Sequence, residues 1–181
     1  MIILRELHEK DAEYMLEWMH DSDIQKGFKK NMMDMKIEDV LAFCQQAKIT
    51  DEIADGQSIH YAIVDDNDDE YLGTISLKDI STKNLTAEYA ISTRKKAHGR
   101  GVAKAATGLI LKKAFFDYNL NRVYLNVLSD NIAAIKLYEK CGFRFEGEFR
   151  EHLIINGKIA SWKWYAMLKR EFDNNLFKEN I

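Results

Sequence analysis

The spacing of apolar residues constrains this chain more than any other feature, because it shifts between a period of two and a period near three and a half. "MIILREL" reads as a short opening strand. Ala12, Met15, Leu16 and Met19 then fall at i, i+3, i+4, i+7, the stripe of an amphipathic helix. "HDSDIQKGFKKNMMDM" breaks the pattern and reads as loop, after which Ile37, Val40, Leu41 and Cys44 restore helical spacing. "SIHYAIV", "YLGTISLKDI" and "TAEYAIS" follow as strands. In the second, polar Thr74 and Ser76 alternate with apolar Ile75 and Leu77, and "STKN" suits the hairpin turn that leads to the third. A helix from about Val102 to Tyr118 carries Val102, Ala106, Leu109 and Ile110 on one face, and "RVYLNVL" reads as a central strand. "SDN" offers N-cap residues for "IAAIKLYEK", Gly142 is a natural stop, and "FRFEGEF" and "SWKWYAMLKREF" supply two late strands. The order β-α-α-β-β-β-α-β-α-β-β predicts an α/β (α+β) fold, a mixed sheet flanked by helices in one domain over residues 1–181.

Composition narrows the function classes. With 46% apolar and 30% charged residues the chain has the make-up of an ordinary globular domain. A net charge of −3 supplies no general attraction for nucleic acid or a membrane surface. Cys44 and Cys141 fit no metal spacing and no disulfide framework, so no metal site is expected. No signal peptide and no membrane-spanning run is read from the sequence, and a reducing cytoplasmic setting is the expectation.

The stretch "HGRGVA" places Gly99 and Gly101 around Arg100 at the mouth of the long helix. Backbone N–H groups there have no intrahelical partner and the helix dipole is positive, so glycines at that point admit a phosphate to the amides. The spacing matches neither the dinucleotide nor the Walker A fingerprint, and a tight turn is the alternative. A second constellation follows: "NIAAIKLYEKCGF" sets Asn131 and Tyr138 seven residues apart on one helical face.

On these two motifs the chain resembles the GNAT superfamily of N-acetyltransferases. His98, Gly99, Arg100, Gly101, Val102 and Ala103 stand where the family carries R/Q-x-x-G-x-G/A. Asn131, Ala134, Tyr138, Gly142 and Phe143 stand where it carries N-x-x-A-x-x-x-Y and a G-F pair. "GTISL", "AEYAI" and "FEGEFREHLIINGK" look like the corresponding strands of the polyamine, ribosomal-protein and nucleotide-aminosugar branches. One departure is His98, which replaces the family's Arg or Gln and carries charge only below a pKa of roughly 6.5.

The resemblance implies acetyl-CoA as co-substrate, with its pyrophosphate on the residue 98–103 loop and its pantetheine arm between "AEYAIST" and "YLNVL". Backbone groups of Ile91, Ser92 and Thr93 would bond the arm like a missing strand, and an N–H there would polarise the thioester oxygen. It also implies Tyr138 as general acid to the leaving thiolate, Asn131 holding the arm or a water, and Glu88 as general base. A phenol near ~10 and a thiol near ~8.5 are matched closely enough for that transfer. Cys141 has no activating base, and His60 and His152 have no evident partner in sequence.

For the acceptor, Lys29 and Lys30 in the loop after the first helix favour an anionic amine such as a nucleotide-linked amino sugar over a polyamine. A solvated basic pair is the alternative. Basicity agrees: bringing an amine of pKa ~10.4 to its neutral form at pH 7 costs about 4.6 kcal/mol, against about 1.1 for one near ~7.8. Protein N-termini, polyamines and a non-catalytic acetyl-CoA-binding module are the other readings. Trp162 and Trp164 in the last strand leave a homodimer contact open.

Overall fold

β-Branched and aromatic residues at alternate positions form seven strands in the computed structural model, which describes residues 1–28, 30–50 and 52–177. The strands are β1 (Ile2–Glu6), β2 (Ile59–Asp65), β3 (Glu70–Ser81), β4 (Thr86–Thr93), β5 (Arg122–Leu128), β6 (Arg144–Ile155) and β7 (Lys158–Leu168). They build one sheet in the order β1-β2-β3-β4-β5-β7-β6, antiparallel throughout except for β4 beside β5. The helices are α1 (Ala12–Met19), α2 (Ser22–Gln25), α3 (Ile37–Gln46), α4 (Val102–Lys112) and α5 (Ile132–Lys140). The predicted mixed sheet flanked by helices is therefore the fold, and most of its strand pairs are antiparallel.

Period-two alternation sends neighbouring residues of β2 into different cores, so both faces of the sheet are covered. Ile59, Tyr61 and Ile63 join Ile75, Leu77, Tyr89, Val123 and Leu125 under Ile110, Leu111 and Phe115 of the helix after the glycine loop and its continuation, and under Ile135 of α5. Ala62 and Val64 join Leu7, Met15, Trp18, Val40 and Cys44 under α1 and α3.

Three local features depart from the sequence reading. α2 folds inside the stretch read as loop, because the Asp21 side chain accepts from the amides of Asp23 and Ile24 and caps a single turn. The helix from Val102 ends its regular part at Lys112 and widens into a π turn through Asp117, where the Tyr118 amide bonds the Lys113 carbonyl at 2.9 Å. The first late strand runs on to Ile155, the second starts earlier and ends earlier than read, and they meet at Asn156–Gly157, both at positive φ (50° and 75°), the geometry of a type I′ hairpin turn.

Candidate active site

The site begins where a ladder stops. β4 and β5 pair only at Thr86–Arg122, Ala87–Val123 and Glu88–Tyr124. Beyond that point β4 stays on β3 as far as Thr93, and β5 stays on β7 as far as Leu128. The two strands therefore splay, and a cavity of about 950 Å³ opens between them. Its walls leave backbone groups on the facing edges of Tyr89–Thr93 and Asn126–Leu128 without a strand partner, which an extended ligand would supply.

At one end lies the glycine loop. Gly99 and Gly101 have φ of +72° and +76°, and a methyl group at either would touch nothing within 4 Å. The glycines thus serve the left-handed backbone and leave open space above it. Gly101 is the N-cap of α4 and supplies no side chain to its first amides, so these remain available to an anion. Just before the loop, buried Arg94 turns away from the cavity. Its guanidinium bonds Glu17 (Nε, 2.9 Å), Glu70 (3.2 Å) and the Tyr71 carbonyl (3.0 Å), and lies 4.4 Å from the centre of the Tyr14 ring. Lys96 also pairs with Glu70. The end of β4 and the start of the loop are fastened there to α1 and β3.

α5 forms the far wall. Asn131 caps it through the Ala134 amide (3.2 Å), and Gly142 ends it at φ +88°. Tyr138, one face along from Asn131, is 8% exposed, and its ring meets Tyr89 edge-on at 5.8 Å and Phe143 at 6.0 Å. Burial, with Cys141 beside it, pushes the phenol well above its ordinary pKa, so Tyr138 keeps its proton. Burial also pushes the Cys141 thiol up to about 11, which leaves it an inert thiol.

Glu88 stands at the vertex of the splay. Lys78, its register partner on β3, lies 3.0 Å from Oε1, and Asn126 Nδ2 is 3.4 Å from the same oxygen. α2 and the residues after it cross the mouth. Asp23 pairs with Lys26 (2.7 Å) and with Lys95 of the loop (3.6 Å). Gly27 approaches Asn131 so closely that a Cβ would stand 2.8 Å from Nδ2.

Of the residues expected from sequence, Glu88, Ile91, Ser92, Thr93, His98, Gly99, Ala103, Asn131 and Tyr138 all line this one cavity. Arg100, Gly101 and Val102 do not; Arg100 is exposed and the Val102 side chain is buried in the core. Lys30 is exposed and lines no part of the cavity, whose lining lysines among the described residues are Lys26, Lys78 and Lys95. Lys29 lies outside the described residues. Trp162 is buried and Trp164 half-buried in β7. They stack on each other at 6.1 Å, Trp164 stacks on Tyr124 at 6.0 Å, and Trp162 lines the cavity. Sequence reading missed Lys78 and Asn126, although both are polar residues at alternate positions of otherwise apolar strands.

Residues 1–144 match the family model described as an Acetyltransferase (GNAT) domain. The chain belongs to the GNAT acetyltransferase family. It is an N-acetyltransferase and acetyl-CoA is its acetyl donor. A spermidine N(1)-acetyltransferase of Escherichia coli is 29% identical over 158 residues, covering 87% of this chain and 81% of that protein. One from Vibrio cholerae is 31% identical over 112 residues, 62% of this chain and 65% of its own. A crystal structure of the Vibrio cholerae spermidine N-acetyltransferase in complex with CoA and spermine superposes with a TM-score of 0.81 at 24% identity, covering 94% of this chain and 96% of that one. Among the described residues no helix is long and apolar enough to cross a membrane.

Proposed function

We propose that this acetyltransferase moves the acetyl group to the primary amine of a small molecule that enters the splay from the Glu88 side. The observation that carries the reading is the arrest of the β4–β5 ladder at Glu88–Tyr124, which sets a carboxylate at the vertex and Tyr138 on the wall of one cavity. The glycine loop holds the donor's pyrophosphate on the free amides of α4, and the unpaired edge of Ile91–Thr93 holds the pantetheine arm as an added strand. An N–H of that edge faces the thioester oxygen and stabilises the charge that develops on it.

Glu88 accepts the proton of the acceptor amine, directly or through water, and Tyr138 gives its own to the departing sulfur. The raised phenol pKa would by itself oppose that step. The same burial raises the proton affinity of a thiolate formed beside Tyr138, so the two remain comparable. The names of the relatives put spermidine on the list of acceptors. The amino-sugar reading loses the support it drew from Lys30, which stands outside the cavity.

The test is thiol release from acetyl-CoA against polyamines, amino sugars, small amines and N-terminal peptides, with Tyr138→Phe alongside. Turnover on one class, lost in the variant, upholds the reading. Acetyl-CoA binding without release on any amine overturns it in favour of a binding module.

A further inference from the structure

At the vertex, four side chains share one face of the sheet. Lys78 and Glu88 are partners across β3–β4, Tyr124 is the partner of Glu88 on β5, and Asn126 follows two residues on, hence on the same face. Lys78 and Asn126 both reach Glu88 Oε1, and among the described residues no hydrogen bond reaches Oε2. The carboxylate is thus held by one oxygen and presents the other. Glu88 and Ala90, the next β4 residue on that face, both line the cavity, and Ala90 adds only a methyl group there. Glu88 is 19% exposed and Lys78 35%, so neither charge is fully hydrated.

We propose that Lys78 determines acceptor specificity: the site takes an amine with an anionic group, carboxylate or phosphate, a few bonds away, and disfavours one with a second ammonium there. The inference rests on the acetyl-transfer reading above and narrows its acceptor. An amine bound at Oε2 lies about 5 Å from the Lys78 ammonium, given ordinary charge-assisted hydrogen bonds. Lys78 has three donors and uses one on Glu88, so a neighbouring anion satisfies it without releasing Glu88. A second ammonium at that place meets a like charge instead.

The remaining carboxylates of the cavity do not offset this. Asp23 is paired with Lys26 and Lys95 near the glycine loop, Asp21 is spent on the α2 cap, and Asp130 is exposed in front of α5. For partly hydrated charges at this separation the discrimination is roughly tenfold in kcat/KM.

The test compares acceptors of matched length with the whole chain and acetyl-CoA: propane diamine, propylamine, beta-alanine and aminoethyl phosphate. It uses the wild type, Lys78→Met and Lys78→Glu. The wild type is expected to prefer the two anionic amines to the diamine by about tenfold or more, and their ratio separates carboxylate from phosphate recognition. Lys78→Met should flatten the order and Lys78→Glu should invert it, with the acetyl-CoA KM changed by less than about twofold. A loss of activity equal for all four acceptors is the signature of a merely structural ion pair and overturns the proposal. So does a wild-type preference for the diamine. No thiol release with any amine, while acetyl-CoA binds, overturns the acetyl-transfer reading together with it.

Discussion

Tyr138 shows how much a single side chain depends on its wall. Its ring is packed on Tyr89 and Phe143, so Tyr138→Phe removes the hydroxyl and keeps the packing. The expected result is a kcat lower by about 10² or more with melting temperature little changed, the size of effect proton donation contributes. An unaltered kcat would show that the thiolate leaves with a proton from elsewhere. Arg94 is the opposite case, a residue that touches no part of the cavity and fastens its frame. Arg94→Met strips Glu17 and the Tyr71 carbonyl of their partner and leaves Glu70 with Lys96 alone. It should cost about 2 kcal/mol in urea unfolding, less than a fully buried pair because Glu17 is partly exposed. In steady-state kinetics its acetyl-CoA KM should rise further than its acceptor KM, because the loop that begins at Lys95 loses its anchor.

At the scale of elements, the cavity exists because β4 is clamped on one edge and free on the other. Gly73 of β3 sits directly under that clamp, and a Cβ there would stand 2.4 Å from the Ser92 carbonyl oxygen and 2.9 Å from the Thr93 Cα. Backbone cannot move aside cheaply. Gly73→Ala should therefore push the end of β4 into the cleft, with a stability loss of about 1–3 kcal/mol and a raised acetyl-CoA KM, read by thermal unfolding and initial rates. Wild-type kinetics in that variant would show that the arm does not lie along Ser92 and Thr93. α2 belongs to this scale too. Its single capped turn pairs with Lys95, and Gly27 just after it lies against Asn131, so the segment joins the mouth of the cavity to both walls.

For the whole molecule, buried acids set the alkaline limit. Tyr71, Tyr89 and Tyr138 all have phenols raised by burial, and Cys44 and Cys141 are each pushed up to about 11. As the pH rises, the unfolded chain loses these protons first, the thiols near pH 8.5 and the phenols near pH 10, while the folded chain still holds them. Stability is therefore complete below that range and falls through it, by about 1.4 kcal/mol per pH unit for each group titrating only in the unfolded state. Melting temperature followed from pH 7 to 11 should hold and then drop steeply. A flat profile to pH 11 would mean that these groups ionise in the folded state.

The order of strands and helices was legible in the sequence because each element carries its own period, cap or stop: Asn131 before α5, Gly142 after it, and the alternation of Thr74 to Leu77 in β3. The glycine loop and Tyr138 were legible for the same reason, since a left-handed backbone and a helical face are local properties. α2 was not, because one turn is too short to show a period, and only the Asp21 cap signals it. The contact between Lys78 and Glu88 was not legible for a different reason. Lys29 and Lys30 are conspicuous as neighbours in the chain, whereas Lys78 meets Glu88 only through the pairing of two strands. Local chemistry along the chain determined that this protein is a GNAT acetyltransferase. That Lys78 meets Glu88 at the vertex was decided by strand register, which joins residues that the sequence keeps apart.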